Sequence, residues 1–142
     1  MKMKYSGYKG KILRINLTTK KTSTIEITDE FAKKYLGGNG FSARFIFDMV
    51  DPRIDAFDPT NVVSMMTGPF QGINSPTAGK YHMATKSPLT NGFFDSISGG
   101  HMGAEIKYAG YDGFLITGRS DKPVYVFVDD DNVEIRSAEK IW

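Results

Sequence analysis

An α+β fold is predicted by three features of the sequence. The stretches 10–27 and 122–138 each hold two runs of alternating apolar residues around a polar turn, which is the pattern of a β-hairpin. The continuous apolar runs at 62–68 and 113–118 have the length and β-branched residues of buried strands. Short segments with helical spacing, ended by glycine or by Asp-Pro, lie between these strands. We therefore expect a single domain over 1–142.

Composition limits the functions that the chain can have. It is 40% hydrophobic and 13% aromatic, which are globular values. The net charge is only +2 and the basic residues are scattered, so we expect no nucleic-acid partner. The lack of cysteine excludes disulfides, thiolate catalysis and cysteine-ligated clusters within this chain. No apolar run approaches the roughly 18 residues of a membrane span, and no signal peptide is visible, so we expect a cytoplasmic protein without a membrane partner.

Two helices are predicted to follow the first hairpin, at 30–36 and 41–50. Thr28 or Asp29 supplies the N-cap of the first helix. The Gly-Gly-Asn-Gly segment at 37–40 separates the two helices and has two interpretations. It is either a helix–helix turn or a group of backbone N–H donors that face an anion at a helix N-terminus.

The segment 68–112 differs from the rest of the chain because it is dense in glycine, serine, threonine and asparagine. It is predicted to hold strands at 80–86 and 93–98, a turn between them, and a helix at 102–109. Glycines let a backbone approach a bulky anionic ligand closely. The alternative is that they only form tight turns, and the pattern alone leaves both interpretations open.

Candidate charged residues in this segment favour ligand binding over side-chain catalysis. Lys80 and Lys86 are expected to neutralise a phosphate or pyrophosphate. His82 is interpreted as structural or solvated, because it has no second ligand at metal-binding spacing. Asp95 and Glu105 are interpreted as isolated carboxylates, so no catalytic residue is predicted.

Six segments occur in the order, and at nearly the spacing, of one known family. They are YSGYKGKILRINLTT, YLGGNGFSARFIFD, MTGPFQGINSPTAGKY, TKSPLT, SGGHMGAEIKYAGYDGFLITGRSDKPVYVFV and VEIRSAEKIW. On these segments the chain resembles most of the N-terminal domain of the aldehyde ferredoxin oxidoreductases, which are tungsten-pterin enzymes.

The resemblance implies an α+β structure of two β-sheets with short helices, incomplete at its C-terminal end. In that family the domain forms a base under a tungsten bis-molybdopterin cofactor, whose two phosphates are bridged by magnesium. Complete enzymes oxidise aldehydes to carboxylic acids and pass electrons through a [4Fe-4S] cluster to ferredoxin. Tungsten and molybdenum are not distinguished by the residues of this chain.

The resemblance also implies a set of cofactor-binding residues. Lys80 stands where the family's Gly-Arg-Tyr motif has arginine, so it keeps the charge but loses the planar fork. Ile97 stands where Asn-Ser-Gly-Gly begins, and its backbone carbonyl is the implied magnesium ligand. Asn39 replaces a frequent arginine. The implied cofactor-binding residues are Gly79, Lys80, Tyr81, Ile97, Ser98, Gly99, Gly100 and Asn39.

The resemblance implies that the family's cluster cysteines, remaining pterin loops and substrate cavity lie in later domains, which are not in this chain. The family's second magnesium-binding segment, which is glycine-rich and C-terminal within the same domain, is not in this chain either. We expect the chain to work with the remaining domains or with a partner chain, and to be inactive alone. The alternative is a stand-alone or split non-catalytic homologue that binds pterin cofactor or pairs with a cysteine-bearing chain. An exposed sheet edge is expected, which favours a homo-oligomer.

Overall fold

A computed structural model describes residues 3–76 and 78–142, in which eight strands and three helices form. The strands are β1 (Lys11–Asn16), β2 (Lys21–Glu26), β3 (Val63–Thr67), β4 (Lys80–Lys86), β5 (Phe93–Gly99), β6 (Gly113–Thr117), β7 (Val124–Asp129) and β8 (Asn132–Ser137). The helices are α1 (Asp29–Tyr35), α2 (Asn39–Met49) and α3 (Met102–Tyr108). The predicted α+β fold is confirmed.

The strands form two sheets of unequal size within the described residues. The larger sheet has six strands in the order β2-β1-β6-β3-β4-β5, and the smaller one is the hairpin β7-β8. β1 and β6 run parallel, with Ile12 opposite Gly113, while the other neighbours are antiparallel. The two hairpins that look alike in sequence therefore have different places. The first, β1-β2, forms one side of the six-stranded sheet, and the second, β7-β8, is a sheet by itself.

Two hydrophobic cores lie on opposite faces of the six-stranded sheet. Helices α1 and α2 cover one face, where the aromatic ring of Phe41 is fully buried. The hairpin β7-β8 and helix α3 cover the other face, around Ile15 and Ile106. Each buried side chain of this size contributes about 1.5–3 kcal/mol. Both faces of the central strands are thus buried, which explains their continuous apolar sequence.

The start of α1 follows the predicted capping chemistry. Thr28 is the N-cap, and its hydroxyl accepts a hydrogen bond of 3.1 Å from the backbone N–H of Phe31. Helix α2 begins at Asn39, two residues before the predicted start, because the backbone of Gly40 already donates to Gly37. Within the part of the chain that the structure describes, no helix has the length and apolar character needed to cross a bilayer.

A buried charged cluster joins the N-terminal segment to the sheet. Asp112 is fully buried and accepts hydrogen bonds from the backbone N–H groups of Lys9 at 3.0 Å and Gly10 at 2.7 Å. Lys107 is paired with the same carboxylate and donates to the carbonyl of Gly7 at 2.8 Å. Burial lowers the pKa of Lys107, while the Asp112 charge opposes that shift. We call Asp112, Lys107 and the backbone of residues 7–10 the Asp112 cluster.

Candidate functional site

Most of the fifteen glycines are required by the fold. Eight of them have a positive φ, a conformation that other residues rarely adopt. Others leave no room for a side chain, as at Gly113, where a Cβ would lie 2.5 Å from the carbonyl oxygen of Met65. Only Gly68, Gly79, Gly92 and Gly99 meet neither condition, since no described atom would come within 3.4 Å of their Cβ.

Three of these four glycines lie at the same end of three neighbouring strands. Gly68 directly follows β3, Gly79 directly precedes β4, and Gly99 ends β5. The register places them together, because Thr67 lies opposite Tyr81 and Lys80 lies opposite Gly99. A Cβ on the next residue, Gly100, would also meet no described atom within 4 Å. We call Gly68, Gly79, Gly99 and Gly100 the glycine rim.

The glycine rim is open backbone that needs no glycine for folding except at Gly100, whose φ is +100°. Glycine without a steric or conformational reason is expected where something outside the chain approaches the backbone. The arrangement therefore fits a ligand, or another backbone, that lies against the strand ends. A cavity of about 430 Å³ lies between α3 and β7, and none of the rim residues lines it.

Lys80 places a positive charge beside the glycine rim. Its side chain is exposed, and it takes part in none of the ion pairs formed by the described residues. An exposed ammonium group beside glycines with free space above their Cα atoms is suited to a phosphate or another anion. The predicted contact segments 79–81 and 97–100 thus lie together on adjacent strands.

The second predicted cation has a different role. Lys86 is only 6% exposed, and its ammonium group donates to the carbonyls of Pro52 and Ile54, both at 2.6 Å. The prediction that Lys86 neutralises a ligand phosphate is therefore wrong. The ammonium group of Lys86 fixes the loop after α2, because it donates hydrogen bonds to two backbone carbonyls of that loop.

The Gly-Gly-Asn-Gly segment lies at the same end of the sheet as the glycine rim. The N–H of Gly38 donates to the carbonyl of Thr67 at 3.0 Å, which holds the start of α2 on the end of β3. Asn39 is exposed as the first residue of α2. Gly37 and Gly40 also donate within the chain, so most N–H groups of this segment are already used. The segment is built as a helix–helix turn.

His82 and Asp95 form a pair that sequence reasoning missed. The ring Nε2 of His82 lies 2.9 Å from Oδ2 of Asp95, and Nδ1 lies 3.2 Å from the hydroxyl of Ser42. The interpretation of Asp95 as an isolated carboxylate was wrong, because the two residues meet only through the pairing of β4 with β5. Among the described residues, no group of three or more metal-ligating side chains is present.

Comparison with known proteins decides the family. The sequence profile described as "Aldehyde ferredoxin oxidoreductase, N-terminal domain" matches residues 12–142. This chain belongs to the aldehyde ferredoxin oxidoreductase family. The predicted resemblance is confirmed, and it extends over nearly the whole chain.

Relatives in this family come from the genera Pyrococcus and Thermococcus. The tungsten-containing aldehyde ferredoxin oxidoreductase of Pyrococcus horikoshii is 47% identical over 136 residues, and the enzyme of the same name from Pyrococcus furiosus is 40% identical. The WOR-like subunit of an aliphatic sulfonate oxidoreductase from Pyrococcus furiosus is 36% identical. Each match covers 96% of this chain but only 22% of the relative, so the chain spans about a fifth of their length.

A solved structure supports the same assignment. The active-site complex BamBC of benzoyl coenzyme A reductase, in complex with 1,5-dienoyl-CoA, superimposes with a TM-score of 0.93 at 31% identity. The match covers 96% of this chain and 21% of that one. The α+β arrangement of an aldehyde ferredoxin oxidoreductase N-terminal domain is therefore confirmed for this chain.

Proposed function

We propose that this chain forms the base on which a tungsten bis-pterin cofactor lies in an aldehyde:ferredoxin oxidoreductase. The observation that carries the proposal is the glycine rim. For three of its glycines the described residues give neither a steric nor a conformational reason, and these glycines lie beside the exposed charge of Lys80. The tungsten in the names of the relatives supports the choice of metal, with molybdenum as the alternative.

The residues of this chain would hold the cofactor by shape, hydrogen bonds and charge. Lys80 would bind a phosphate or a polar edge of a pterin, and Gly79 and Gly99 would leave room for the ring system. Backbone groups of the exposed segment 97–100 would complete this half of the site, with the Ile97 carbonyl as a ligand for a bridging magnesium ion. Tyr81, which follows Lys80, and Asn39, which begins α2, would add further contacts to the cofactor.

The bound cofactor supplies the redox chemistry that converts an aldehyde into a carboxylic acid. The described residues bind and orient it, and none of them is proposed as a catalytic acid or base. A [4Fe-4S] cluster, the contact with ferredoxin and the substrate cavity would belong to the rest of the enzyme, which we place in the cytoplasm.

A covering partner is expected because the site surface is open. All seven residues of β5 are exposed, including the aromatic rings of Phe93 and Phe94. Open apolar surface of this kind marks an interaction site. We propose that the remaining domains of the enzyme, or a partner chain, close over the cofactor here. A homo-oligomer through the β5 edge is a further expectation, and light scattering that gives the mass of one chain would contradict it.

The proposal is tested by the amount of bound cofactor. The protein and its Lys80→Ala variant are expressed with tungstate, and pterin and tungsten are measured per chain. We expect Lys80→Ala to lower occupancy severalfold, since it removes the exposed positive charge between Gly79 and Tyr81. Lys33→Ala, which removes an exposed charge from α1, serves as the control. Equal occupancy in wild type and Lys80→Ala would contradict the role of Lys80, and wild type without pterin would contradict the proposed function.

A further inference from the structure

Strand β5 carries half of the proposed cofactor surface but has little to hold it in place. It is the last strand of the six-stranded sheet, and among the described residues only β4 pairs with it. All seven of its residues are exposed, and burial therefore contributes little to its position. Edge strands of this kind open more readily than central strands. A specific side-chain anchor would be needed to keep 97–100 in register with Lys80.

The His82–Asp95 hydrogen bond is such an anchor. His82 lies opposite Ile97, and Asp95 lies opposite Ala84, so the bond crosses diagonally between the strands. The side chain of His82 is 5% exposed and that of Asp95 is 41% exposed. The hydrogen bond thus joins a buried residue of β4 to an exposed residue of the edge strand β5, two residues before Ile97.

The inner end of this anchor is fixed in the core. Nδ1 of His82 contacts the hydroxyl of Ser42 on α2, and that hydroxyl lies 2.8 Å from the hydroxyl of Ser64 on β3. Both serines are fully buried. A continuous chain of four polar side chains therefore connects β5 through β4 to α2 and β3. The same helix α2 begins with Asn39, at the end of the sheet where the glycine rim lies.

The hydrogen-bond inventory determines where the proton of His82 lies. An ionised carboxylate only accepts hydrogen bonds, so Nε2 must donate to Asp95. If the ring is neutral, Nδ1 accepts from Ser42, and Ser42 accepts from Ser64, which satisfies every member. If Nδ1 also carried a proton, Ser42 would donate to Ser64. The buried Ser64 hydroxyl would then be left without an acceptor among the described residues. The geometry therefore favours the neutral ring with the proton on Nε2.

We propose that His82 is a positioning residue, which locks β5 through Asp95 and thereby holds the backbone of 97–100 in place for the cofactor. The anchoring of β5 stands on the geometry alone. The consequence for the cofactor rests on the proposed function. His82 itself is buried under the sheet surface and does not touch the ligand in this account.

Amide hydrogen exchange tests the anchor without any cofactor. In the purified protein, Asp95→Ala is expected to speed exchange of the β5 amides by about ten-fold relative to wild type, which corresponds to about 1.4 kcal/mol of opening free energy. Asp95→Asn keeps an acceptor for Nε2–H and is expected to restore most of the protection. Ser96→Ala is the matched control, because the residue is next in the strand and points to the other face. Exchange in β1 and β6 should stay unchanged.

Ring nitrogen NMR spectra of His82 give a second readout, which reports where the ring proton lies and not how stable the strand is. We expect a proton on Nε2 in wild type and in Asp95→Asn. A wild-type ring protonated on Nδ1 would overturn the assignment. Unchanged β5 exchange in Asp95→Ala, or an equal effect of Ser96→Ala, would overturn the anchor.

Cofactor content separates this inference from the proposed function. Asp95→Ala should lower pterin occupancy severalfold and Asp95→Asn should recover it. Lys80→Ala should lower occupancy without changing β5 exchange. Full occupancy in Asp95→Ala despite fast β5 exchange would overturn the positioning role. Absence of pterin from wild type, with the exchange result intact, would overturn the proposed function and the positioning role and leave the anchor standing.

Discussion

The Asp112 cluster and the glycine rim use similar residues for opposite purposes. Both bring glycines and a lysine together. In the Asp112 cluster, the Lys107 ammonium group bonds to Asp112 and to the carbonyl of Gly7, and the Lys107 and Asp112 side chains are buried. At the glycine rim, Lys80 is exposed and has no ion-pair partner among the described residues. Glycines and lysines therefore indicate a ligand site only where the chain itself does not use them.

The largest expected effect is the loss of the Asp112 carboxylate. Asp112→Ala would leave the buried Lys107 charge without its partner and two backbone N–H groups without an acceptor. Removal of one member of a buried ion pair costs about 3–5 kcal/mol. We expect a loss of stability of that size in urea unfolding. Asp131→Ala removes the same group from an exposed pair with Lys11 and should hardly change the unfolding midpoint. Equal effects of the two variants would contradict the comparison.

A second effect distinguishes structural glycines from rim glycines. At Gly113 an added methyl group would press on the Met65 carbonyl, so Gly113→Ala should cost about 1–3 kcal/mol. At Gly99 the nearest described atom to the new Cβ is the Gly79 carbonyl oxygen at 3.7 Å, so Gly99→Ala should stay within about 0.5 kcal/mol of wild type. Chemical denaturation of both variants under the same conditions provides the measurement. A Gly99→Ala protein as unstable as Gly113→Ala would show that the rim glycines serve folding.

The smallest effect concerns Tyr8, which packs beside the Asp112 cluster. Burial, and next the Asp112 charge, raise the pKa of Tyr8 above 10.0. Above pH 10.0 the unfolded chain loses this proton first, so Tyr8 lowers stability as pH rises from 10.0 to its raised pKa. Wild type should therefore lose stability relative to Tyr8→Phe as the pH rises over that range. Urea unfolding from pH 8 to 11 checks this, and parallel curves for the two proteins would refute it.

Local patterns in the sequence predicted most of the fold. Hairpins, the Thr28 cap and the strand at 80–86 depend on residues that are neighbours along the chain, and the structure confirms them. The parallel pairing of β1 with β6 joins segments about a hundred residues apart, and no local pattern reports it. The similar sequence patterns of the two hairpins also did not predict which hairpin would form a sheet by itself.

The candidate site was predictable only through the family resemblance. That resemblance selected the segments 79–81 and 97–100, which the register then places side by side. The resemblance could not show that the Lys86 ammonium group donates its hydrogen bonds to two carbonyls of a loop more than thirty residues away. Nor could it separate Gly99 from Gly113, because the letter G is the same whether a Cβ would meet a carbonyl oxygen or open space. Three-dimensional surroundings decide both cases.

The central claim is that the glycine rim is open because a pterin cofactor lies on it. The most direct measurement is pterin and tungsten per chain in the protein that carries Gly99→Val, with unfolding measured in parallel. A valine side chain adds bulk above the strand end, and the nearest described atom to its Cβ is the Gly79 carbonyl oxygen at 3.7 Å. We therefore expect a normally folded protein with occupancy at least about ten-fold lower, as a loss of about 1.4 kcal/mol of binding energy gives. Full occupancy in a stable Gly99→Val protein would contradict the account.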